Sequence, residues 1–223
     1  LKLVGGVTNQ LTNMNIEYQG NAGSTLTIPL LFTDAHNDSG PSLWLVDNTT
    51  NITLKGESIL LYSVQSHSTN GTSSGLRNNG NIIADNTLPN SEDRIIFNTV
   101  YDNVVGRHNR YFYLENTGTI ELNGTKDLLA NITTPGFGAG TGTYVSNSGT
   151  ININGSEAKG VYLKSLPVGT TSAGTYFDFV NPIALTGDKS IGMVFERNDL
   201  NFTLSAINFN IGFSGNNASS TGN

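Results

Sequence analysis

The segment from Asp102 to Tyr113 concentrates Arg107, His108 and Arg110 beside Tyr111, Phe112 and Tyr113, and so holds two of the chain's 11 basic residues. Guanidinium groups next to aromatic faces suit adhesion to a sugar or to a protein hot spot. The rings offer a large contact area at low entropic cost, and a cation over a ring gains from its quadrupole. Arg107, His108, Arg110, Tyr111 and Tyr113 are therefore the candidate ligand-binding residues. The same segment has a plainer reading as a strand, in which either Tyr111 and Tyr113, or Phe112, turn into a core.

Other reactive side chains do not assemble into a site. His67 stands alone among Ser, Thr, Asn and Gly and reads as a solvated loop residue. The candidate carboxylates are Asp47, Asp85, Glu92, Asp93, Asp102, Glu115, Glu121, Asp127 and Glu157. They give no paired column of the kind a polysaccharide-cleaving enzyme needs. The glycines between Thr133 and Tyr144 are not followed by Gly-Lys-Ser/Thr, so they do not form a phosphate cradle. No Asp-rich nonapeptide repeat suggests Ca²⁺, and with no cysteine there is neither a disulfide framework nor a thiolate metal site. The expectation is binding without catalysis, metal or cofactor.

These residues hang on a repeat. Asn116-Thr-Gly-Thr-Ile120-Glu-Leu122-Asn-Gly124 recurs as Asn147-Ser-Gly-Thr-Ile151-Asn-Ile153-Asn-Gly155, 31 residues on. Each copy runs into a second apolar segment, Leu128-Leu129-Ala130 or Val161-Tyr162-Leu163. An apolar anchor, a second apolar residue two places on and Gly or Asn four places on also begin at Ile16, Ile52, Ile82, Ile183 and Ile211, in steps of 28 to 38 residues. An Asn lies four residues before the anchor at Asn48, Asn78, Asn116 and Asn147. Residues i and i+2 share one side of a strand, so Ile120 and Leu122 turn inward while Thr119, Glu121 and Asn123 face water. Glu121 then stacks on Thr53, Asn152 and Ala184, which is not an acidic column. The Gly suits a turn that needs positive φ, and the Asn can bond its turn and ladder with the next Asn.

A unit of this kind cannot bury its apolar stripe alone, whereas stacked units share a core. The fold expected is all-β: a right-handed parallel β-helix (β-solenoid) over residues 1–215, with about seven coils and loop excursions between them. Residues 216–223 read as a disordered tail or linker. At ~4.8 Å per coil the rod would be about 34 Å long. Composition agrees: 26 Gly and only 13% charged residues in 223 favour strands and turns over long helices. The net charge of −6 argues against nucleic acid or an anionic membrane surface as partner. The chain opens on Leu1 with no charged and apolar leader and has no run long enough to span a bilayer, so it reads as part of a longer or processed protein.

The phrases Asn-x-Gly-Thr-Ile-x-(Leu/Ile)-Asn-Gly, Lys159-Gly-Val-Tyr162 and Gly187-Asp-Lys-Ser-Ile191-Gly-Met-Val resemble repeats in the passenger domains of large type V autotransporter adhesins, particularly those of fusobacteria. The resemblance covers roughly residues 48–215 and is strongest over 116–195. It implies a monomeric stretch of a larger chain, displayed on the cell surface through an outer-membrane barrel, that binds a protein or glycan receptor on a host cell or partner bacterium. Excursions at 33–42, 66–75, 86–94, 102–113, 133–144 and 166–175 would decorate the rod, and loops on a rigid scaffold carry most binding. Within the first, Asp38-Ser39-Gly40-Pro41 resembles the nucleophile loop of chymotrypsin-like serine proteases, but Asn37 replaces that family's Gly and the segment reads as a turn. The alternatives are a stalk that binds nothing and a polysaccharide-degrading β-helix enzyme.

Overall fold

The computed structural model describes residues 1–4, 8–20, 29–36, 42–67, 74–87, 93–101, 110–134, 141–165, 175–197, 207–210 and 213–214. Within them, three parallel sheets of seven strands each run along one axis. The first sheet takes β1 (Lys2–Val4), β4 (Pro29–His36), β7 (Ile59–His67), β10 (Ile95–Tyr101), β13 (Leu128–Thr134), β16 (Lys159–Ser165) and β19 (Ile191–Arg197). The second takes β2 (Thr8–Leu11), β5 (Ser42–Val46), β8 (Ser74–Asn78), β11 (Arg110–Asn116), β14 (Thr141–Asn147), β17 (Thr175–Phe179) and β20 (Ile207–Asn210). The third takes β3 (Asn15–Gln19), β6 (Asn51–Lys55), β9 (Asn81–Ala84), β12 (Thr119–Leu122), β15 (Thr150–Ile153), β18 (Ile183–Leu185) and β21 (Phe213–Ser214). Each revolution visits the sheets in that order, so the chain is a β-solenoid, and no helix occurs among the described residues.

The repeat anchors form one column of the third sheet. Ile16, Ile52, Ile82, Ile120, Ile151 and Ile183 stand in unbroken register. Their partners two places on, from Leu54 through Ala84, Leu122 and Ile153 to Leu185, are fully buried. Burying each Ile or Leu removes apolar surface worth about 1.5–3 kcal/mol, and stacking makes that burial continuous. The seventh anchor differs from expectation: Phe213, not Ile211, pairs with Ile183. In the first sheet strict alternation also breaks, because Leu60 and Leu61, Ile96 and Phe97, and Leu129 and Ala130 are all fully buried neighbours.

The Asn expectation holds at three of four positions. Asn78 Nδ2 donates to Asn116 Oδ1 at 2.8 Å, and Asn116 Nδ2 to Asn147 Oδ1 at 2.7 Å. Each also binds its own turn, Asn78 Nδ2 to Gly80 O at 3.3 Å and Asn116 Nδ2 to Gly118 O at 3.2 Å. Asn48 is not part of the ladder; Val46 is the residue opposite Asn78. That turn is two residues longer, and Asp47 organises it by accepting Thr49 N (2.9 Å), Thr49 Oγ1 (2.6 Å) and Thr50 Oγ1 (3.1 Å).

The glycine expectation needs correction. Among the described residues the left-handed glycine is Gly56, whereas Asp93, Lys126, Glu157 and Lys189 hold that conformation without being glycine. Gly155 and Gly187 are required by crowding instead: a Cβ at Gly155 would lie 1.9 Å from Gly124 O, and one at Gly187 1.9 Å from Gly155 O. Coils approach so closely at this turn that no side chain fits between them.

Two residues after Gly56, and one residue after Asp93, Lys126, Glu157 and Lys189, lies an interior column, Ser58, Arg94, Asp127, Ala158 and Ser190, all buried. Four of the residues are small or short, and the fifth is an arginine. Arg94 meets Asp127 in a two-pronged pair, Nε to Oδ1 and Nη2 to Oδ2, each at 2.9 Å. Asp127 also accepts Gly124 N at 2.8 Å and Arg94 N at 3.3 Å. Burial pushes the Asp127 carboxyl above its ordinary value, and Arg94 with the two backbone N–H groups pulls it back without cancelling the rise.

Candidate functional site

Topology gathers the excursions. The connections β4–β5 (37–41), β7–β8 (68–73), β10–β11 (102–109), β13–β14 (135–140) and β16–β17 (166–174) fall within the expected excursions at 33–42, 66–75, 102–113, 133–144 and 166–175, whose outer residues belong instead to the flanking strands. All five leave the first sheet and enter the second, so all five open at one corner of the cross-section. The sixth, 86–94, joins the third sheet to the first and opens elsewhere. The other two corners are closed by two- to five-residue links, apart from the longer connections 20–28 and 85–94 between the third sheet and the first.

The candidate residues divide at this corner. Arg107 and His108 lie outside the described residues. Arg110 and Tyr111 open β11, with backbones opposite Thr141 and Gly142, and their side chains are outside the description. Phe112 is the residue of this strand that fills the core, 3% exposed, and the flanking Tyr113 is half-buried on the outer face. Asp38 to Pro41 also lie outside the described residues. His67 is the last residue of β7, with its backbone opposite His36.

Tyr113 does not stand alone. Its ring packs on Tyr144 of the next coil with centroids 5.8 Å apart and planes tilted by 57°. Tyr176 follows in backbone register beside Tyr144 in the next coil. In the next outer column of the same sheet stand Leu45, Arg77, Glu115, Ser146 and Asp178. Arg77 Nε is paired with the Glu115 carboxylate across adjacent coils. The surface is thus an aromatic column beside a charged one, bordering the corner from which the excursions leave. Tilted rings with half-exposed faces can stack on a flat ligand, and the Arg77–Glu115 pair can exchange its partners for polar ligand groups.

Among the described residues Glu121 stands in no acidic column, being flanked by Ile83 and Asn152. Among the described residues no group of three or more His, Cys, Asp or Glu could hold a metal ion. Comparison with protein-family models, with curated proteins and with solved structures finds no match to this chain.

Proposed function

We propose that this chain is part of a cell-surface adhesin, a right-handed β-solenoid passenger of the autotransporter kind that binds a host-cell or partner-bacterium receptor without catalysis. The observation that carries the reading is the gathering of five excursions at one corner beside the Tyr113–Tyr144 column. A stalk has no use for long connections gathered chiefly at one edge. A binding protein does, because a rigid scaffold fixes the relative positions of loops and pre-paid order lowers the entropic cost of binding. The resemblance of the repeats to autotransporter passengers supports export and display at the cell surface.

The test is saturable binding of the purified chain to host and bacterial cells, alongside a Tyr113→Ala/Tyr144→Ala variant. The rings lie on the outer face, so the variant should keep its circular dichroism and unfolding midpoint. Binding weakened at least about tenfold, or ~1.4 kcal/mol, supports the adhesin and its site. Absence of saturable binding to any cell overturns the adhesin in favour of the stalk, and hydrolysis of a polysaccharide by the chain would overturn the non-catalytic reading.

A further inference from the structure

A second outer surface, on the first sheet, has a different chemistry. Phe32, Tyr62, Asn98, Asn131, Tyr162 and Val194 stand in one unbroken register across six coils. All six face away from the core cluster, and all but Asn98 are half-buried. Phe32 and Tyr62 are stacked, with centroids 5.9 Å apart and planes only 12° from parallel. Asn131 Nδ2 donates to Asn98 Oδ1 at 2.8 Å, which links the two amides along the row. Among the described residues this leaves Asn98 Nδ2 as a donor and Asn131 Oδ1 as an acceptor at the ends of the amide pair.

We infer that this row is a binding track for an uncharged oligosaccharide chain. Three properties of the row select that ligand. The order is ring, amide, amide, ring, at one coil rise of about 4.8 Å per step, which is close to the length of one pyranose residue. A hexose presents an apolar C–H face to a ring and hydroxyls to an amide, so successive sugars match successive coils. An apolar protein surface placed here would bury the Asn98–Asn131 pair against groups that cannot bond to it, at a cost of roughly 1–3 kcal/mol per unsatisfied group. The backbone groups of these strands are engaged by the neighbouring coils, so a peptide cannot add as a further strand in mid-sheet.

Charge points the same way. From Phe32 to Val194 the row carries no ionisable group other than tyrosine; Lys2 is next in backbone register beyond Phe32 and Asp34 follows Phe32 by two residues, while at the other end Lys164 and Glu196 pair with each other at 3.4 Å. One cation, Lys159, lies on the same strand as Tyr162, three residues away. The stretch from Tyr62 to Tyr162 thus complements a neutral polyol and offers nothing systematic to a polyanion or to a charged peptide.

This inference deepens the adhesin reading by naming a ligand class, but its site is separate from the Tyr113 column, and the experiment keeps the two apart. The probes are neutral β-linked gluco-oligosaccharides and N-acetylglucosamine oligomers of increasing length, with heparin as the anionic control, titrated calorimetrically into the intact chain. From Tyr62 to Tyr162 there are three coil steps, about 14 Å, so affinity should climb with chain length and level off once both rings are spanned. It should be unchanged by raising salt to ~0.5 M. Tyr62→Ala/Tyr162→Ala should weaken it at least tenfold, and Tyr113→Ala/Tyr144→Ala should leave it as it was. Asn131→Leu keeps the volume and serves as a second variant should the tyrosine variant unfold; it too should weaken binding. The inference falls if no neutral oligosaccharide binds saturably, if heparin binds better and loses affinity with salt, or if binding ignores the first-sheet variants. Cell binding lost only with the Tyr113/Tyr144 variant would keep the adhesin while removing this track.

Discussion

Replacing Asp127 with Asn should destabilise the solenoid far more than any other isosteric change in its core. Asn keeps an oxygen for Gly124 N–H but removes the counter-charge of Arg94, a guanidinium with 0% exposure. Breaking a buried pair on one side costs about 3–5 kcal/mol, because the remaining charge is stranded in low dielectric. For a chain of this size that lowers the melting midpoint by roughly 10 °C. Arg94→Met removes the charge while filling most of its volume, and leaves Asp127 with two backbone donors. The double variant Arg94→Met/Asp127→Asn is neutral and should lie within about 2 kcal/mol of the parent, so the cycle should show a coupling of roughly 2 kcal/mol or more. Urea unfolding of the four proteins supplies all the terms.

The pH dependence of the same series has a definite sign. Asp127's folded pKa lies above its unfolded value, so its contribution is fully present below the unfolded pKa and is lost as pH rises through the folded one. Removing Arg94 raises the folded pKa further. The deficit of Arg94→Met relative to the parent should therefore shrink as pH falls from ~7 towards ~4. A single variant as mild as the double, or an Arg94→Met deficit that grows on acidification, would refute this description of the buried pair.

Three further outcomes follow from the turns. Asn116→Ala removes the middle rung of the ladder, which bonds Asn78, Asn147, Gly118 O and Thr150 O, and should cost about 2–3 kcal/mol in urea unfolding. Gly149→Ala places a Cβ 2.1 Å from Gly118 O and 2.6 Å from Thr117 C, both backbone, so two coils must separate; a loss of roughly 1–3 kcal/mol is expected by the same assay. Asp47 is held down to about 2, chiefly by the Thr49 hydroxyl. Its contribution is present above the unfolded value and is lost as pH falls through about 2, so Thr49→Ala should bring its NMR-detected titration back up towards the usual carboxylate range.

The third sheet was legible because six anchors alternate with period two and recur at spacings short enough to count. Ile211 misled because it and Phe213 both satisfy an alternating pattern, and only pairing with Ile183 decides between them. Asn48 misled because spacing from the anchor was counted through a turn two residues longer than its neighbours. The Arg94–Asp127 pair was invisible until register was known. Its signal is positional, since each residue directly precedes a first-sheet strand where other coils have Ser58, Ala158 or Ser190. Of the candidate site, Tyr113 was readable from its segment, and alternation resolves in favour of Phe112 inside and Tyr113 out. Tyr144 was missed, although Tyr113 and Tyr144 each sit three residues before a ladder asparagine, Asn116 or Asn147. The common corner of the excursions could not be read, because it depends on which sheet each flanking strand joins.

That common corner is the central claim, and the absence of cysteine makes it directly measurable. Thr134 and Ser165 are the last residues of β13 and β16 and stand in register where two excursions depart. Their Cα atoms should be about 4.8 Å apart, inside the roughly 4.4–6.8 Å that a disulfide spans. Thr134→Cys/Ser165→Cys should therefore close a disulfide under mild oxidation, while Thr134→Cys paired with Lys159→Cys, at the far end of β16, should not. Failure of the first pair to close, or closure of the second instead, would contradict the register and the shared corner built on it.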